Sequence, residues 1–544
     1  MKFFTLRDPE FRIPDAAALR HKVLPTALRF LPFIIALILT AISVYFFFSY
    51  LNNGLGLSYN DARSHLNIGR RVVEGLKPGL AQIGSVWLPL NHLGMVPFIW
   101  NDWMWHSGFA GAIQSMAGFV LTGIVIYKIL ELLNVGLIGR ITGVAVFVAN
   151  INVLYLQSTA MSELPLIAAM TIGVYELLLW HKYENILYLI RCAFWIMLAT
   201  LIRYDGWFLL GHAAILILIQ AWRKKGFRSV EGLVVLFGTL AGFGIVLWLL
   251  WNLMIFKDPL YFALGPFSAH AQQLQMKAAG VLFTEHNLGL SIKTYLYALF
   301  FNTYTLPTLL GFFGALFFWF DRRYSASERL GSTALFAPLI FNILALYLGF
   351  SVLFVQGIAG DTWFNVRYGI MLAPTIAVFT GYLMHRLREF RLLIAGLLIF
   401  VLFFAFTSQD AVTIDDARVG SSQKNVSEVS GYLNKHAGNQ KGFILISAAS
   451  HDAILFSSGL PMKRFIHEGT GLYWENALAL PDRWAKWIVM RTYDNQDLTW
   501  KGVSKSKGFQ FYTKVAAYPF ADVYELQASK SANLNTEPIL GKQK

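Results

Sequence analysis

The stretch LSYNDARSHLNIGRRVVEG, residues 57–75, places one aspartate, one histidine and three arginines directly behind a long apolar run. In a soluble protein it would be an ordinary surface helix. Its meaning here depends on its surroundings. The chain has 544 residues, 56% of them hydrophobic and 14% charged, with a mean hydropathy of +0.51. That mixture is too apolar for a soluble protein and reads as a polytopic membrane protein. The net charge of +14 does not call for nucleic acid as a partner, because membrane proteins collect lysine and arginine in cytoplasmic loops that face anionic lipid. The single cysteine, Cys192, excludes an intramolecular disulfide and a cysteine metal site. A polar, basic lead of some 26 residues precedes the first apolar run, and no cleavable signal peptide is expected.

Outward from 57–75, the hydropathy predicts about eleven spanning helices of the length a bilayer requires. They are 27–50, 107–132, 138–157, 162–181, 186–202, 206–222, 230–256, 293–320, 333–356, 367–385 and 391–408. With the N-terminus in the cytoplasm, the inside segments are the N-terminal lead, the turn at Arg140, HKYEN, RKKGFR, DRRYSASER and HRLREFR, so every second loop is basic. The predicted organisation is a transmembrane domain, 1–408, and an extracytoplasmic α/β domain, 409–544. The tail predicts a helix at NVSEVSGYLNKHA, strands at GFILISA, KWIVMR and FQFYTKV…ADVYEL, and disorder over its last dozen residues. Its pairs His451-Asp452 and His467-Glu468 read as surface neighbours.

In this topology the unusual polar residues fall on one side of the membrane. The first outer loop, 51–106, holds Asp61, Arg63, His65, Arg70 and Arg71, then a stretch rich in tryptophan and proline. Residues 61–75 read as an interfacial amphipathic helix capped by Asn60 or Asp61, with Asp61 and His65 one turn apart on a shared face. Arg63 and Arg70 read as headgroup contacts, and Trp87, Trp100, Trp103 and Trp105 as a headgroup-level belt. Later outer turns carry Glu163, then Arg203, Tyr204 and Asp205 in LIRYDGW, then Asp361 and Arg367 in VQGIAGDTWFNVRYG. Ionisable groups at membrane depth are costly, so each needs a partner or a task.

Two acids and two arginines on separate turns suit one chemistry. A carboxylate can act as general base on an acceptor hydroxyl, and arginines can fork onto a lipid-linked phosphate. The corresponding reaction is displacement at a sugar's anomeric carbon, with inversion and with a lipid phosphate leaving. Asp61 and Glu163, with His65, could also contribute to a divalent cation site for Mg2+ or Mn2+. No phosphate-cradling Gly-rich motif is present.

Taken as an ordered set, these residues resemble the GT-C membrane glycosyltransferases, in particular the branch holding protein O-mannosyltransferases and the bacterial lipid A aminoarabinose transferase. The acid early in the first outer loop corresponds to Asp61 in YNDARSHLNIGRRV, and WLPLNHL at 87–93 resembles that family's proline-rich stretch. MSELPL, with Glu163, resembles the acid that opens the fourth helix. LIRYDGW, DTWFNVRYGIMLAP and DPLYF at 258–262 resemble later outer turns. The resemblance implies a GT-C bundle with interfacial helices in the first outer loop, in a bacterial inner membrane. It implies an inverting transferase with a polyprenyl-phosphate sugar as donor and a glycan, lipid or protein as acceptor. Asp61 and Glu163 would then be catalytic and Arg203 and Arg367 would bind the donor phosphate. His65, His92, Tyr204 and Asp361 would line the substrate site. The alternative reading is a transporter or flippase of a lipid-linked sugar, which would require paired broken helices and repeat symmetry; neither is legible in the sequence.

Overall fold

The computed structural model describes residues 16–266, 268–420 and 423–536. The N-terminal lead up to residue 15 and the chain end from 537 on, expected to be disordered, lie outside these residues. Among the described residues, eight helices are long and apolar enough to cross a membrane, or nine if the bent pair Leu288–Thr303 and Thr305–Phe320 counts as one span. Two further expected spans are helical but short, Leu137–Val148 and Ile186–Thr200. Each of the eleven expected segments contains helix, but the one expected at 333–356 is helical only to Tyr347 and ends in the strand Phe354–Val355; the chain is a multi-pass membrane protein.

Two of those segments are not continuous, and the sequence reading had missed this. The segment expected at 138–157 stops at Asn150, whose backbone is extended and whose side chain accepts from the Asn152 and Val153 N–H groups to start a new helix, Ile151–Leu156. The segment expected at 293–320 breaks at Tyr304, at φ 61° and ψ 148°, and turns through 111°. The two breaks are packed together. Asn150 Nδ2 and Asn152 Nδ2 donate to the Asn302 carbonyl at 2.7 and 3.2 Å, and Asn302 Nδ2 donates to the Val366 carbonyl at 2.7 Å. Backbone groups freed inside a bundle must find partners, and asparagines supply them here. The paired broken helices that a transporter would require are thus present. However, Tyr304 Oη donates to the Asp410 carbonyl and Asn152 Oδ1 accepts from the Thr413 N–H. The breaks therefore lie at the level where the last long helix ends and not at mid-bundle.

Two glycines bring the site's backbone segments together. A Cβ on Gly118 would meet the Leu164 carbonyl at 2.5 Å, and one on Gly369 would meet the Ala298 carbonyl at 2.3 Å. Bare backbone there lets helix Phe109–Leu132 press on the start of helix Glu163–Tyr183, and lets segment Val366–Leu372 press on helix Leu288–Thr303.

The last long helix, Arg391–Ser408, leads into a short helix, Val412–Gly420. That helix packs on the bundle, since Asn152 Oδ1 accepts from both the N–H and the Oγ of Thr413. Beyond it lies helix Gln423–Ala437, then a five-stranded sheet. Strands Phe465–Ile466, Phe443–Ile446 and Ala485–Met490 run parallel, in that spatial order, and Asp522–Leu526 and Tyr512–Ala517 continue the sheet antiparallel. The four strands expected from the sequence are all present.

This domain sits on the first long loop. Asn67 Nδ2 donates to the Asp452 carbonyl at 2.8 Å and to its Oδ1 at 3.0 Å, Arg71 Nη2 lies 3.7 Å from Asp452 Oδ2, and Phe456 meets Trp105 edge-on. His451 and His467 are buried, which corrects their reading as surface residues. His451 Nε2 bonds Asp497 Oδ2 at 2.7 Å, and the Glu468 carboxylate bonds Ser447 Oγ and the Ala448 N–H.

Candidate active site

Helix Asn60–Val73 carries the opening stretch. Its N-cap is Tyr59, which makes no side-chain capping bond, so neither Asn60 nor Asp61 caps it; Asp61 lies in its first turn. It is not an exposed interfacial helix. Residues from Ala62 to Arg70 are nearly all buried, Leu66 and Ile68 among them. Arg70 is not a headgroup contact. It donates from Nη1 to the Ile99 and Trp100 carbonyls, pairs with Glu74 and Asp102, and lies over the buried Trp105 ring at 4.6 Å. Arg63 is also buried. Its Nε donates to the Leu57 carbonyl at 2.9 Å, it pairs with no carboxylate among the described residues, and burial lowers its pKa to about 10. Trp100 and Trp103 are exposed, as a belt requires, whereas Trp105 is sealed inside and Trp87 packs on His65.

Four distant segments meet at Arg367. Its Nη2 donates to Asp61 Oδ2 at 2.6 Å and its Nε donates to Glu163 Oε1 at 2.9 Å. Its Nη1 lies 3.7 Å from Asp416 Oδ2. Arg203 reaches the same glutamate, with Nη1 3.4 Å from Glu163 Oε1 and 3.3 Å from Ser162 Oγ, while its Nε donates to Asp205 Oδ2 at 3.3 Å. The Tyr368 ring lies between the guanidiniums, 4.8 Å from Arg203 and 5.3 Å from Arg367, and Tyr59 covers the other side of Arg367 at 4.9 Å. Tyr59 Oη also donates to Asp416 Oδ2 at 3.1 Å. Asp416 went unremarked in the sequence because a lone acid in a soluble-looking tail carries no local signal.

Burial divides the acids. The Glu163 side chain is 0% exposed and its Oε2 has no partner among the described residues. Asp416 is 2% exposed and Arg367 6%. The Asp61 side chain is 43% exposed. The cluster is closed except on the side of Asp61 and Arg203.

His65 and His92 come together, with Nδ1 of the first 2.8 Å from Nε2 of the second and Trp87 4.3 Å from the His65 ring. Burial, then the charges of Arg203 and Arg367, hold the His65 pKa down to about 3, and burial with His65 and Arg71 holds His92 well below its usual value. Tyr204 turns away from the cluster and stacks on Phe262 and Trp207. Asp361 is exposed on the hairpin made by Phe354–Val355 and Ala359–Phe364, and forms no ion pair among the described residues. The proposed cation site does not assemble. The Arg367 guanidinium occupies the space between Asp61 and Glu163, and no three acidic, histidine or cysteine side chains gather as metal ligands among the described residues.

No protein-family model matches the chain, and no curated protein matches it in sequence. Solved structures do match in fold. ArnT from Cupriavidus metallidurans, bound to undecaprenyl phosphate, aligns over 93% of this chain and 99% of its own at 11% identity and a TM-score of 0.54. The oligosaccharyltransferase of Archaeoglobus fulgidus, tethered to an acceptor peptide containing the NVT sequon, aligns over 93% of this chain and 74% of its own at 9% identity and a TM-score of 0.51. The same archaeal enzyme, AglB, with an inhibitory peptide and a dolichol-phosphate, aligns over 90% of this chain at 9% identity and a TM-score of 0.50. At these identities the likeness is one of architecture, and this chain has the GT-C fold that ArnT and AglB share.

Proposed function

We propose that this protein is an inverting glycosyltransferase that takes a sugar from a polyprenyl-phosphate donor, with Asp61 as general base, at the outer face of a bacterial inner membrane. The observation that carries the reading is the Arg367 bridge, which joins two carboxylates from separate turns while leaving one of them, Asp61, open to an acceptor. Asp61 accepts the proton of the acceptor hydroxyl, whose oxygen forms the new bond to the anomeric carbon as the bond to the phosphate oxygen breaks. The electron pair leaves with the lipid phosphate, and positive charge from Arg203 stabilises it. Arg203 has five N–H groups; it donates from Nε and Nη1 to Asp205, Ser162 and Glu163 and also bonds the Tyr368 side chain, so a phosphate would share its remaining donors with Tyr368. Glu163, sealed from any acceptor, anchors both guanidiniums.

A narrow, mostly apolar crevice of about 20 Å³ lies below the cluster and would have to widen to take a lipid chain. It is lined by Ile167, Met170 and Val174 below Glu163, and by Met371 and Pro374 below Arg367. α-Helical spacing puts Ile167, Met170 and Val174 on the same stripe as Glu163, so a prenyl chain that opened the crevice would have its phosphate near the cluster. The architecture shared with ArnT and AglB, solved with undecaprenyl phosphate and dolichol-phosphate, supports the same donor class. The packed helix breaks favour a carrier less, because asparagines tie them shut at one end of the bundle.

The test is to incubate the purified chain with a panel of undecaprenyl-phosphate sugars and candidate glycan, lipid and peptide acceptors, with and without chelator. Transfer with inversion by wild type, lost in Asp61→Asn with folding and lipid binding intact, is expected. Wild-type rates in Asp61→Asn, or movement of the lipid-linked sugar across vesicles without transfer, would reject the proposal.

A further inference from the structure

His65 and His92 share one hydrogen bond, and the partners around them decide which ring donates. Both rings are buried and uncharged; His65 lies one turn of helix from Asp61, and His92 comes from helix Leu90–Ile99. Two arrangements of the shared proton exist. If His65 Nδ1–H donates, His92 carries its own proton on Nδ1. If His92 Nε2–H donates, His92 Nδ1 is a bare lone pair and His65 carries its proton on Nε2. His92 Nδ1 is sealed and has no partner among the described residues. A buried N–H without an acceptor is the rarer and costlier defect, while an unsatisfied acceptor is better tolerated. The second arrangement therefore holds. His65 Nε2 bonds nothing among the described residues and is not one of the sealed atoms, so its edge stays accessible beside the arginines.

We infer that His92 locks His65 as a neutral hydrogen-bond donor, and that His65 Nε2–H binds a phosphoryl oxygen of the lipid donor beside Arg203. This rests on the function proposed above and adds a residue to it. A group that can only donate, set next to guanidiniums that also only donate, matches an anionic oxygen that only accepts. A sugar hydroxyl would call for an acceptor as well. Trp87 against the ring fixes its plane.

The experiment measures binding of undecaprenyl phosphate, and of the polyprenol lacking the phosphate, to the full chain in detergent by native mass spectrometry. Loss of one hydrogen bond to a charged group is worth about tenfold or more in affinity. His65→Leu should therefore lose about tenfold for the phosphate and nothing for the polyprenol. His65→Gln keeps an N–H donor and should stay within about threefold. His92→Leu should fall between them, because the freed ring divides its proton between both nitrogens. The phosphate monoester itself takes up a proton at about pH 6, so wild type and His65→Leu should share one pH profile between pH 8 and pH 5, the imidazole adding nothing of its own. Unchanged phosphate affinity in His65→Leu overturns the inference, as does an equal loss for the polyprenol or a His65→Gln as weak as His65→Leu. Failure of the wild type to bind undecaprenyl phosphate would sink the functional reading itself, and so separates the two.

Discussion

Arg367→Met is the most informative single substitution, because it separates a packed anchor from a working acid. Arg367 makes charge-assisted bonds at 2.6 and 2.9 Å to Asp61 and Glu163 and approaches Asp416. Methionine fills much of the same volume between Tyr59 and Tyr368 but removes every donor. Glu163 would then keep only Arg203 Nη1 at 3.4 Å, with its other oxygen already unpartnered. Stranding a fully buried carboxylate in this way costs about 3–5 kcal/mol. Asp61 could turn to water, since it is 43% exposed, so its share of the loss is about 1 kcal/mol or less. The asymmetry gives a cycle. Glu163→Gln added to Arg367→Met replaces the stranded charge with a neutral amide and should restore about 2 kcal/mol or more. Asp61→Asn added to Arg367→Met should restore almost nothing. Unfolding by SDS titration, followed by tryptophan fluorescence in mixed micelles, measures each variant. If Arg367→Met unfolds within about 1 kcal/mol of wild type, or if Glu163→Gln and Arg367→Met add without coupling, Arg367 is not what holds Glu163 in place.

The other expectations are as follows. His65, with a pKa of about 3, and His92 are neutral when folded but would protonate below about pH 6.5 when unfolded. The unfolded state then binds more protons, so stability falls as pH drops below about 6.5, by about 1.4 kcal/mol per unit for each ring until the folded pKa is reached. SDS unfolding at pH 7.5 and pH 5 should show this slope in wild type, and the His65→Gln, His92→Gln double variant should lose the share of those two rings while the buried His467, also held well below its usual value, keeps its own. Asp452→Ala leaves Arg71 without its acid and cuts the bonds from Asn67, so trypsin should separate the C-terminal domain from the bundle faster than in wild type; an unchanged cleavage rate would show that the contact holds nothing. Asn152→Leu orphans the buried Thr413 N–H and hydroxyl and should cost about 2–4 kcal/mol by the same titration. Asp61→Asn should bind undecaprenyl phosphate about threefold or more tightly than wild type while transferring no sugar, because the carboxylate no longer competes for Arg367. Weaker binding would contradict that competition.

How much of this was legible depends on where each signal is stored. Spanning helices are written in local composition, and each of the eleven segments contains helix, although the one expected at 333–356 stops at Tyr347, where apolar residues continue into a strand that composition cannot tell from a helix. The breaks at Asn150 and Tyr304 were not legible, because a hydropathy window averages over a short non-helical stretch set within long apolar runs. Asp61, Glu163, Arg203 and Arg367 stood out because an ionisable group among apolar ones needs a reason, and the fold joins all four. Asp416 is just as buried, but it lies in a polar tail where an acid is unremarkable. Tyr204 misled by adjacency. Arg203 and Tyr204 lie in the turn before helix Asp205–Lys225, where neighbouring side chains diverge, and Tyr204 goes to the Phe262 and Trp207 cluster. Arg70, Trp105 and His467 read as surface or interface residues because their cover comes from other elements. For the Asn67–Asp452 contact, that cover lies 385 residues away.

The charge count explains why the exposed acid should be the one that works. Asp61, Glu163, Asp205 and Asp416 face two guanidiniums, so the cluster is acidic by two charges when all four are ionised. A phosphate arriving there adds to the excess, and a proton taken up by Asp61 removes part of it. Asp61 is the only one of the four that an acceptor hydroxyl can reach. Once protonated, it grips Arg367 Nη2 less tightly, since a charge-assisted bond is about twice as strong as a neutral one. The released N–H is then available, at that moment, to the phosphate that has just gained the electron pair. In the proposed reaction, proton uptake at Asp61 and stabilisation of the leaving group would thereby be coupled through one guanidinium. Glu163 cannot play this part: it holds both arginines and no acceptor reaches it, so a proton there would weaken the scaffold and give nothing to the reaction.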